Sequence, residues 1–256
     1  MSYVFKSEEF NEYSKKIPPY MYKYKVKNYH LFNNMNLSDI YTSHIIELTE
    51  YEKNKINNAI GICEQYINNY NIKCIWNIIQ ISNNIEQSMP FTMTNCIILP
   101  QQFVSSLCKQ ITKKILITLV HEQIHIHQKN NPNIYNELYI EMGWYPLDGH
   151  LSIYNIFTNP DINNFWYLPF IRNNKEYYGL PLLVLNNGTL NLEFYIIEND
   201  GTLKISDYFE DYIIDKCNFY SNCYHPEEIC AESLARYIID KNSQIDDVFK
   251  KFLLNI

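Results

Sequence analysis

Apolar residues recur at different intervals along the chain, and these intervals separate helical from strand-like stretches. Spacings of three and four residues predict a helix over 49–69, whose Thr49 and Glu52 have the spacing of a capping box. The same periodicity predicts a long helix over 110–129, which ends before an Asn-Asn-Pro sequence. The helical pattern therefore accounts for two long segments in the first half of the chain.

Strand-like patterns occupy two other regions. Runs of apolar and β-branched residues predict strands at 72–82 and 92–99. From 166 to 205 the chain is strand-like again, and an Asn-Gly pair at 187 and an Asp-Gly pair at 200 favour tight hairpin turns. We expect a β-meander inserted between the long helix and a C-terminal helical segment.

That C-terminal segment is recognised by its first turn. Pro226 suits the first position of a helix that runs to about Lys241, and two glutamates follow where carboxylates interact favourably with the helix dipole. Ser243 and Asp246 suit the start of a last helix. The chain therefore ends in two predicted helices.

These elements predict a fold of the α+β class. Residues 46–256 are expected to form a single domain with a β insertion at about 160–206. Residues 1–45, in which Pro18-Pro19 is surrounded by Tyr and Lys, predict an irregular arm that lies over this domain.

Composition narrows the classes of function. The net charge is −7 and no block of Lys or Arg occurs, so nucleic acid is not expected as a partner. The longest apolar run is too short for a membrane span, and the first residues contain no apolar stretch typical of a signal peptide. The 7 cysteines contain no CxxC pair, which favours free thiols in a reducing, intracellular compartment. Abundant Tyr, Asn and Ile are typical of an AT-rich coding genome, such as that of a large DNA virus or a parasite.

The sequence His121-Glu122-Gln123-Ile124-His125 is the pattern that carries chemistry. Residues four apart on a helix lie nearly on one face, separated by about 6 Å along the axis. His121 and His125 can therefore hold one Zn²⁺, and Glu122 can reach a metal-bound water. His127 is expected to point away from that face, where it is either exposed or in contact with a ligand residue. Because a catalytic zinc takes three protein ligands, a third ligand is expected elsewhere in the chain.

The helix predicted from Pro226 carries the strongest candidate for this third ligand. Glu228 and Glu232 lie one turn apart on it, and Ala231 between them leaves room for close packing against the HExxH helix. Glu228 is expected to coordinate the metal, and Glu232 to accept a hydrogen bond from a ligand imidazole. Arg236, one turn further on, is expected either to pair with Glu232 or to lie free on the surface.

Other ligand sets are weighed against this one. The metzincin pattern fails, because Gln128 and Asn131 stand where it needs glycine and histidine. His225 either caps the helix or competes as a ligand, and Asp148 and His150 are further candidates with ligand-type side chains. The aromatic segment 139–145 is expected to form either a wall of the cleft or part of the core.

HExxH followed by E-x-x-A-E resembles the gluzincin metallopeptidases, particularly the lethal-factor type. The resemblance covers 45–130 and 218–240, and implies a zincin-like fold with a small mixed sheet and Glu228 as third zinc ligand. It also implies that an edge strand, here 92–99, aligns a peptide substrate by backbone pairing. In that group a tyrosine seven residues before the third ligand steadies the oxyanion. Ser221 stands there in this chain, so the role is assigned to its neighbour Tyr220.

The expected function is a zinc-dependent metallopeptidase with one Zn²⁺ per chain and a peptide or protein substrate. Glu122 would act as general base, and Tyr220 would help to hold the oxyanion. The alternative is a catalytically inactive binding protein that uses the same scaffold and still holds metal. A third reading is an interaction protein in which HExxH is accidental, and metal content separates it from the other two.

Overall fold

The computed structural model describes residues 8–15, 17, 21–32, 35–72, 75–147, 161, 165–186, 189–198, 202–217, 225–241, 243 and 245–255. Within these ranges the helices are α1 (Glu8–Lys15), α2 (Tyr22–Lys25), α3 (Leu37–Ser43), α4 (Glu50–Ile67), α5 (Gln101–Lys109), α6 (Lys113–Asn130), α7 (Pro132–Glu141), α8 (Asp207–Cys217), α9 (Pro226–Ile239) and α10 (Asp247–Asn255). The strands are β1 (Ile45–Ile46), β2 (Ile78–Ile81), β3 (Phe91–Met93), β4 (Cys96–Pro100), β5 (Tyr145–Pro146), β6 (Trp166–Arg172), β7 (Lys175–Asn186), β8 (Thr189–Ile197) and β9 (Leu203–Ile205). The fold is of the α+β class, as the sequence predicts.

The first sheet is mixed and has the strand order β1-β2-β4-β3. β2 and β4 run parallel, whereas β1 and β3 are antiparallel to their neighbours. The prediction of one strand over 92–99 is wrong, because a turn with a φ of 50° at Thr94 divides the run into β3 and β4. The strand expected over 72–82 is reduced to β2, since its partner β4 begins only at Cys96. As a result, β4 lies inside the sheet and β3 forms its edge.

The second sheet is an antiparallel meander with the order β5-β6-β7-β8-β9. It confirms the predicted β-meander, although the turns expected at 187–188 and 200–201 lie outside the described residues. Helix α8 packs on this sheet at Gly179, where an added Cβ would collide with the ring of Phe209. A side chain at that position would therefore require the buried Phe209 ring to move.

Helix α6 lies at the centre of the main core. The side chains from 119 to 128 are all buried, so the helix is covered on every side. Helix α4 packs against it and begins with the predicted capping box between Thr49 and Glu52. Helix α9 packs along the other side, where Ala231 and Ala235 are fully buried. The HExxH residues are thus buried within the main core of the molecule.

A second core lies under the N-terminal helices. Phe10 of α1 stacks on Tyr41 of α3 at 5.1 Å between ring centroids, and Met21 and Val26 are fully buried with them. The prediction of an irregular arm is therefore wrong for this region, because its apolar side chains pack under short helices. The domain boundary at 45–46 stays a prediction.

Four cysteines among the described residues are free thiols. Cys63, Cys96 and Cys230 are buried, and Cys108 is half-buried, as expected from the absence of CxxC pairs.

Among the described helices, none combines the length and the apolar character that crossing a membrane requires.

Candidate metal centre

Helix α6 brings two imidazoles together in a buried position. Thr112 caps the helix, its hydroxyl accepting a hydrogen bond from the Ile115 amide at 3.3 Å. One turn separates His121 from His125, and their Nε2 atoms lie 2.9 Å apart. His125 is fully buried and His121 is 9% exposed. Two nitrogen donors therefore converge on one point beside the helix.

Helix α9 adds a carboxylate to this pair. One Glu228 oxygen, Oε2, lies 3.4 Å from His121 Nε2, and the other, Oε1, lies 3.5 Å from His125 Nε2. His225 is the N-cap of α9, and its Nδ1 accepts a hydrogen bond from the Glu227 amide at 3.2 Å. This is the capping role expected as one of its two alternatives. Among the described residues, the group of side chains that could hold a metal ion is His121, His125 and Glu228.

The three donors fit a zinc ion. Ligands at the usual 2.0–2.1 Å from a tetrahedral zinc lie about 3.3 Å from one another. The imidazole nitrogens lie 2.9 Å apart, and each lies 3.4 or 3.5 Å from a different oxygen of Glu228. With one ligand atom taken from each residue, all three atoms lie within 4.8 Å of one another. Two imidazoles and one carboxylate also match a donor set that catalytic zinc uses. The residues present therefore suit this metal in both geometry and chemistry.

Glu232 lies on the far side of the His121 ring. One of its oxygens is 3.3 Å from His121 Nδ1, and the half-exposed guanidinium of Arg236 forms an ion pair with the same carboxylate. Burial lowers the pKa of His121, but the Glu228 and Glu232 carboxylates beside the ring outweigh it, so that pKa lies well above its usual range. The same carboxylates would stabilise a divalent cation at this point.

Gln128 orients His125, a role that sequence reasoning missed. Its Oε1 lies 2.7 Å from His125 Nδ1, and its Nε2 donates to the Glu227 main-chain oxygen at 2.9 Å. Because an amide oxygen only accepts, Nδ1 of His125 must carry the proton, which leaves the Nε2 lone pair directed at the metal position. The spacing of three residues from His125 was the available signal.

Glu122 is buried beside the ligands. Its Oε2 atom has no hydrogen-bond partner among the described residues. Burial raises the pKa of Glu122 well above its usual range, and the neighbouring Asp161 carboxylate raises it further. A carboxylate with a raised pKa is a stronger base, as the predicted role requires.

Several other candidates have different outcomes. The expectation that His127 is exposed is wrong, because it is buried, with Nδ1 2.9 Å from the Tyr135 hydroxyl. Tyr139 and Trp144 belong to the main core, whereas Tyr145 is exposed, so two of the three aromatic side chains of that segment pack inside the protein. Tyr220, Ser221, Asp148 and His150 lie outside the described residues.

The edge strand β3 has a neighbour that the sequence did not indicate. The main-chain amide of Thr92 donates to Asp161 Oδ1 at 2.6 Å, and Lys129 Nζ donates to the Thr92 main-chain oxygen at 3.1 Å. The expectation that 92–99 is one edge strand is therefore wrong. Within this run β3 lies at the edge and β4 does not, and the Thr92 amide and main-chain oxygen are bonded to Asp161 and Lys129. Pairing of a peptide with this edge stays a prediction.

Comparisons with protein-family models, with curated proteins and with solved structures find no match to this chain. The class of site is therefore argued from its own geometry. Two ring nitrogens and one carboxylate converge in a buried position beside a second carboxylate. This arrangement suits a bound metal ion that acts on a water molecule.

Proposed function

We propose that the protein is a zinc-dependent metallopeptidase of the gluzincin type. The observation that carries this proposal is the convergence of His121, His125 and Glu228, whose ligand atoms lie within 4.8 Å of one another. Buried Glu122 beside them supplies the base that hydrolysis needs. One zinc per chain and a peptide or protein substrate are parts of the same proposal.

The order of elements supports a zincin-like fold. Helix α4, the mixed sheet and α6 follow one another as the gluzincin resemblance implies, and the third ligand comes from α9 after the β-meander. The edge strand β3 lies beside α6, since Lys129 near the end of that helix contacts Thr92. A substrate bound along this edge would pass close to the proposed metal position.

Each residue of the site has a separate task. Zinc bound here would lower the pKa of a water towards neutrality and polarise the scissile carbonyl. Glu122 takes up the proton of that water and passes it to the leaving amine. Gln128 and Glu232 hold the imidazoles of His125 and His121 in orientation. Tyr220, outside the described residues, is proposed to donate a hydrogen bond to the oxyanion.

The test combines metal analysis with a peptide-library assay of the wild type and of Glu122→Gln. We expect about one zinc in both proteins, because Glu122 is not a ligand. Turnover should fall about 10²- to 10⁴-fold in the variant, because the general base is lost. Glu137→Gln, at an exposed position on α7, serves as the matched control and should retain full turnover.

Three outcomes would contradict the proposal in different ways. A wild type that binds zinc but cleaves no peptide in the library would favour the inactive binding protein on the same scaffold. Hydrolysis that persists in Glu122→Gln would show that another group activates the water. A wild type that takes up no zinc would remove the metal site altogether.

A further inference from the structure

Asp161 binds the edge strand through contacts that go beyond a simple ion pair. Its Oδ1 accepts hydrogen bonds from both the amide and the hydroxyl of Thr92. The ammonium group of Lys129 lies 3.6 Å from the same oxygen and donates to the Thr92 hydroxyl at 2.6 Å. Because this hydroxyl accepts from Lys129, its own proton is directed at the carboxylate. Asp161 is only 5% exposed.

The hydrogen-bond donors and the carboxylate that accepts from them come from different parts of the chain. Thr92 belongs to β3 and Lys129 to α6, which are the edge strand and the HExxH helix. Asp161 lies on neither element and is 69 residues from Thr92 in sequence. We call Thr92 and Lys129 the edge-strand carboxylate site. The scaffold of the candidate active centre thus builds a site for a carboxylate that a remote residue fills.

One positive charge faces the carboxylate at this site. Lys129 Nζ lies 3.6 Å from Asp161 Oδ1, whereas Lys25 is paired with Glu86, and the Glu122 carboxylate is a like charge near Asp161. Without Asp161 the buried Thr92 amide would lose its acceptor, while the partly buried Lys129 ammonium would keep the two Thr92 oxygens. Another carboxylate would satisfy the Thr92 amide and also form an ion pair with Lys129, which a neutral acceptor would not do.

Asp161 also occupies the position that a substrate backbone would use. A peptide that extends a sheet accepts hydrogen bonds from outward-facing amides of the edge strand. Here the outward-facing amide of Thr92 is already bonded to Asp161. A peptide bound along β3 has to displace this contact. The peptide that restores it most completely is one that brings its own carboxylate.

We propose that the edge-strand carboxylate site is a specificity subsite of the peptidase, filled by Asp161 in this structure and taken over by an acidic side chain of the substrate. The proposal rests on the proposed function, and it names the substrate class as peptides with Asp or Glu near the scissile bond. Lys129 and Thr92 are specificity-determining residues in this assignment. Asp161 is their internal competitor.

The first experiment tests the subsite without catalysis. Sodium acetate is titrated into the zinc-loaded full chain and into Asp161→Ala, with sodium chloride at equal ionic strength as control. Acetate should raise the thermal midpoint of Asp161→Ala in a saturable way, because it replaces the lost carboxylate. It should not do so for the wild type or for Asp161→Ala combined with Lys129→Met.

The second experiment measures peptide preference in a Glu122→Gln background, so that bound peptide is not cleaved. Two fluorescein-labelled pentapeptides are compared, Ala-Ala-Glu-Ala-Ala and Ala-Ala-Gln-Ala-Ala. With Asp161→Ala added, the Glu peptide should bind about tenfold more tightly than the Gln peptide. Adding Lys129→Met should remove this difference. If Asp161→Ala does not fold, Asp161→Asn takes its place and should likewise favour the Glu peptide.

These experiments separate the failure of this proposal from the failure of the proposed function. A folded, zinc-loaded Asp161→Ala that ignores acetate and binds both peptides equally would overturn the subsite and leave the peptidase untouched. Conversely, a wild type without zinc-dependent hydrolysis would overturn the proposed function, while the acetate titration still reports on Thr92 and Lys129.

Discussion

Two buried charged clusters in this molecule differ in how their charges are balanced. In the N-terminal core, Lys25 Nζ lies 3.1 Å from both oxygens of Glu86, and the Tyr41 hydroxyl donates to the same carboxylate. The side chains of Lys25 and Glu86 are 0% and 5% exposed. One ammonium therefore faces one carboxylate, and the pair is complete within the chain.

The cluster between α6 and α9 has a different balance. Three carboxylates, Glu122, Glu228 and Glu232, surround two imidazoles, and the half-exposed Arg236 pairs with one of them. Burial of carboxylates is costly unless a cation accompanies them. A divalent cation held by His121, His125 and Glu228, as proposed, would balance the carboxylates of this set, whereas the Lys25–Glu86 pair is balanced within the chain. The sign of the buried charge, rather than burial itself, therefore separates a structural ion pair from a candidate metal site.

The largest difference between the two clusters should appear in zinc content when one carboxylate is removed from each. Glu228→Ala should lower zinc content from about one per chain to near zero, because only two ligands remain. Glu86→Ala removes an equally buried carboxylate and should leave zinc content unchanged. Elemental analysis of both purified variants measures the contrast. Equal zinc in Glu228→Ala and the wild type would move the search for a third ligand to other side chains.

Breaking the Lys25–Glu86 pair is expected to change the stability of the protein rather than its zinc content. Lys25→Met leaves Glu86 buried without its ammonium partner, which should lower the free energy of unfolding by about 3–5 kcal/mol. Combining it with Glu86→Gln should recover part of this loss, because the amide is neutral and its oxygen still accepts from Tyr41. Urea unfolding measures these values. A Lys25→Met variant as stable as the wild type would show that the pair contributes nothing.

How far the sequence anticipates these clusters depends on how local each feature is. His121, Glu122 and His125 lie on one helical turn, and Glu228 and Glu232 on another, so periodicity alone indicates their faces. The Lys25–Glu86 pair joins residues 61 apart, and Asp161 reaches Thr92 across 69 residues. No local sequence pattern predicts such contacts, because they depend on how whole helices and strands pack together.

The secondary structure is likewise predicted well only where its signals are local in the sequence. A continuous apolar run from 92 to 99 does not reveal the turn at Thr94 and Asn95, since both strands of the hairpin are apolar. Helices α1 and α2 are too short to be stable alone and depend on burial of residues such as Phe10. Long helices with clear caps, such as α4, are predicted well because their signals are local.

The smallest effect, and the most informative about orientation, is expected at Gln128. This residue links the two helices of the metal cluster, since it accepts from His125 and donates to the Glu227 main chain. Gln128→Ala should weaken zinc binding about 10- to 100-fold without unfolding the protein, because His125 loses the partner that fixes its protonated nitrogen. Competition with a chromophoric chelator measures this affinity.

Two further variants decide whether Gln128 acts through His125. Gln128→Glu keeps an acceptor for His125 Nδ1 and should restore most of the affinity, although it loses the bond to Glu227. Gln123→Ala removes a buried amide whose side-chain atoms have no hydrogen-bond partner among the described residues, and should leave zinc affinity unchanged. Equal weakening in Gln128→Ala and Gln128→Glu would mean that packing between α6 and α9, rather than the orientation of His125, controls zinc affinity.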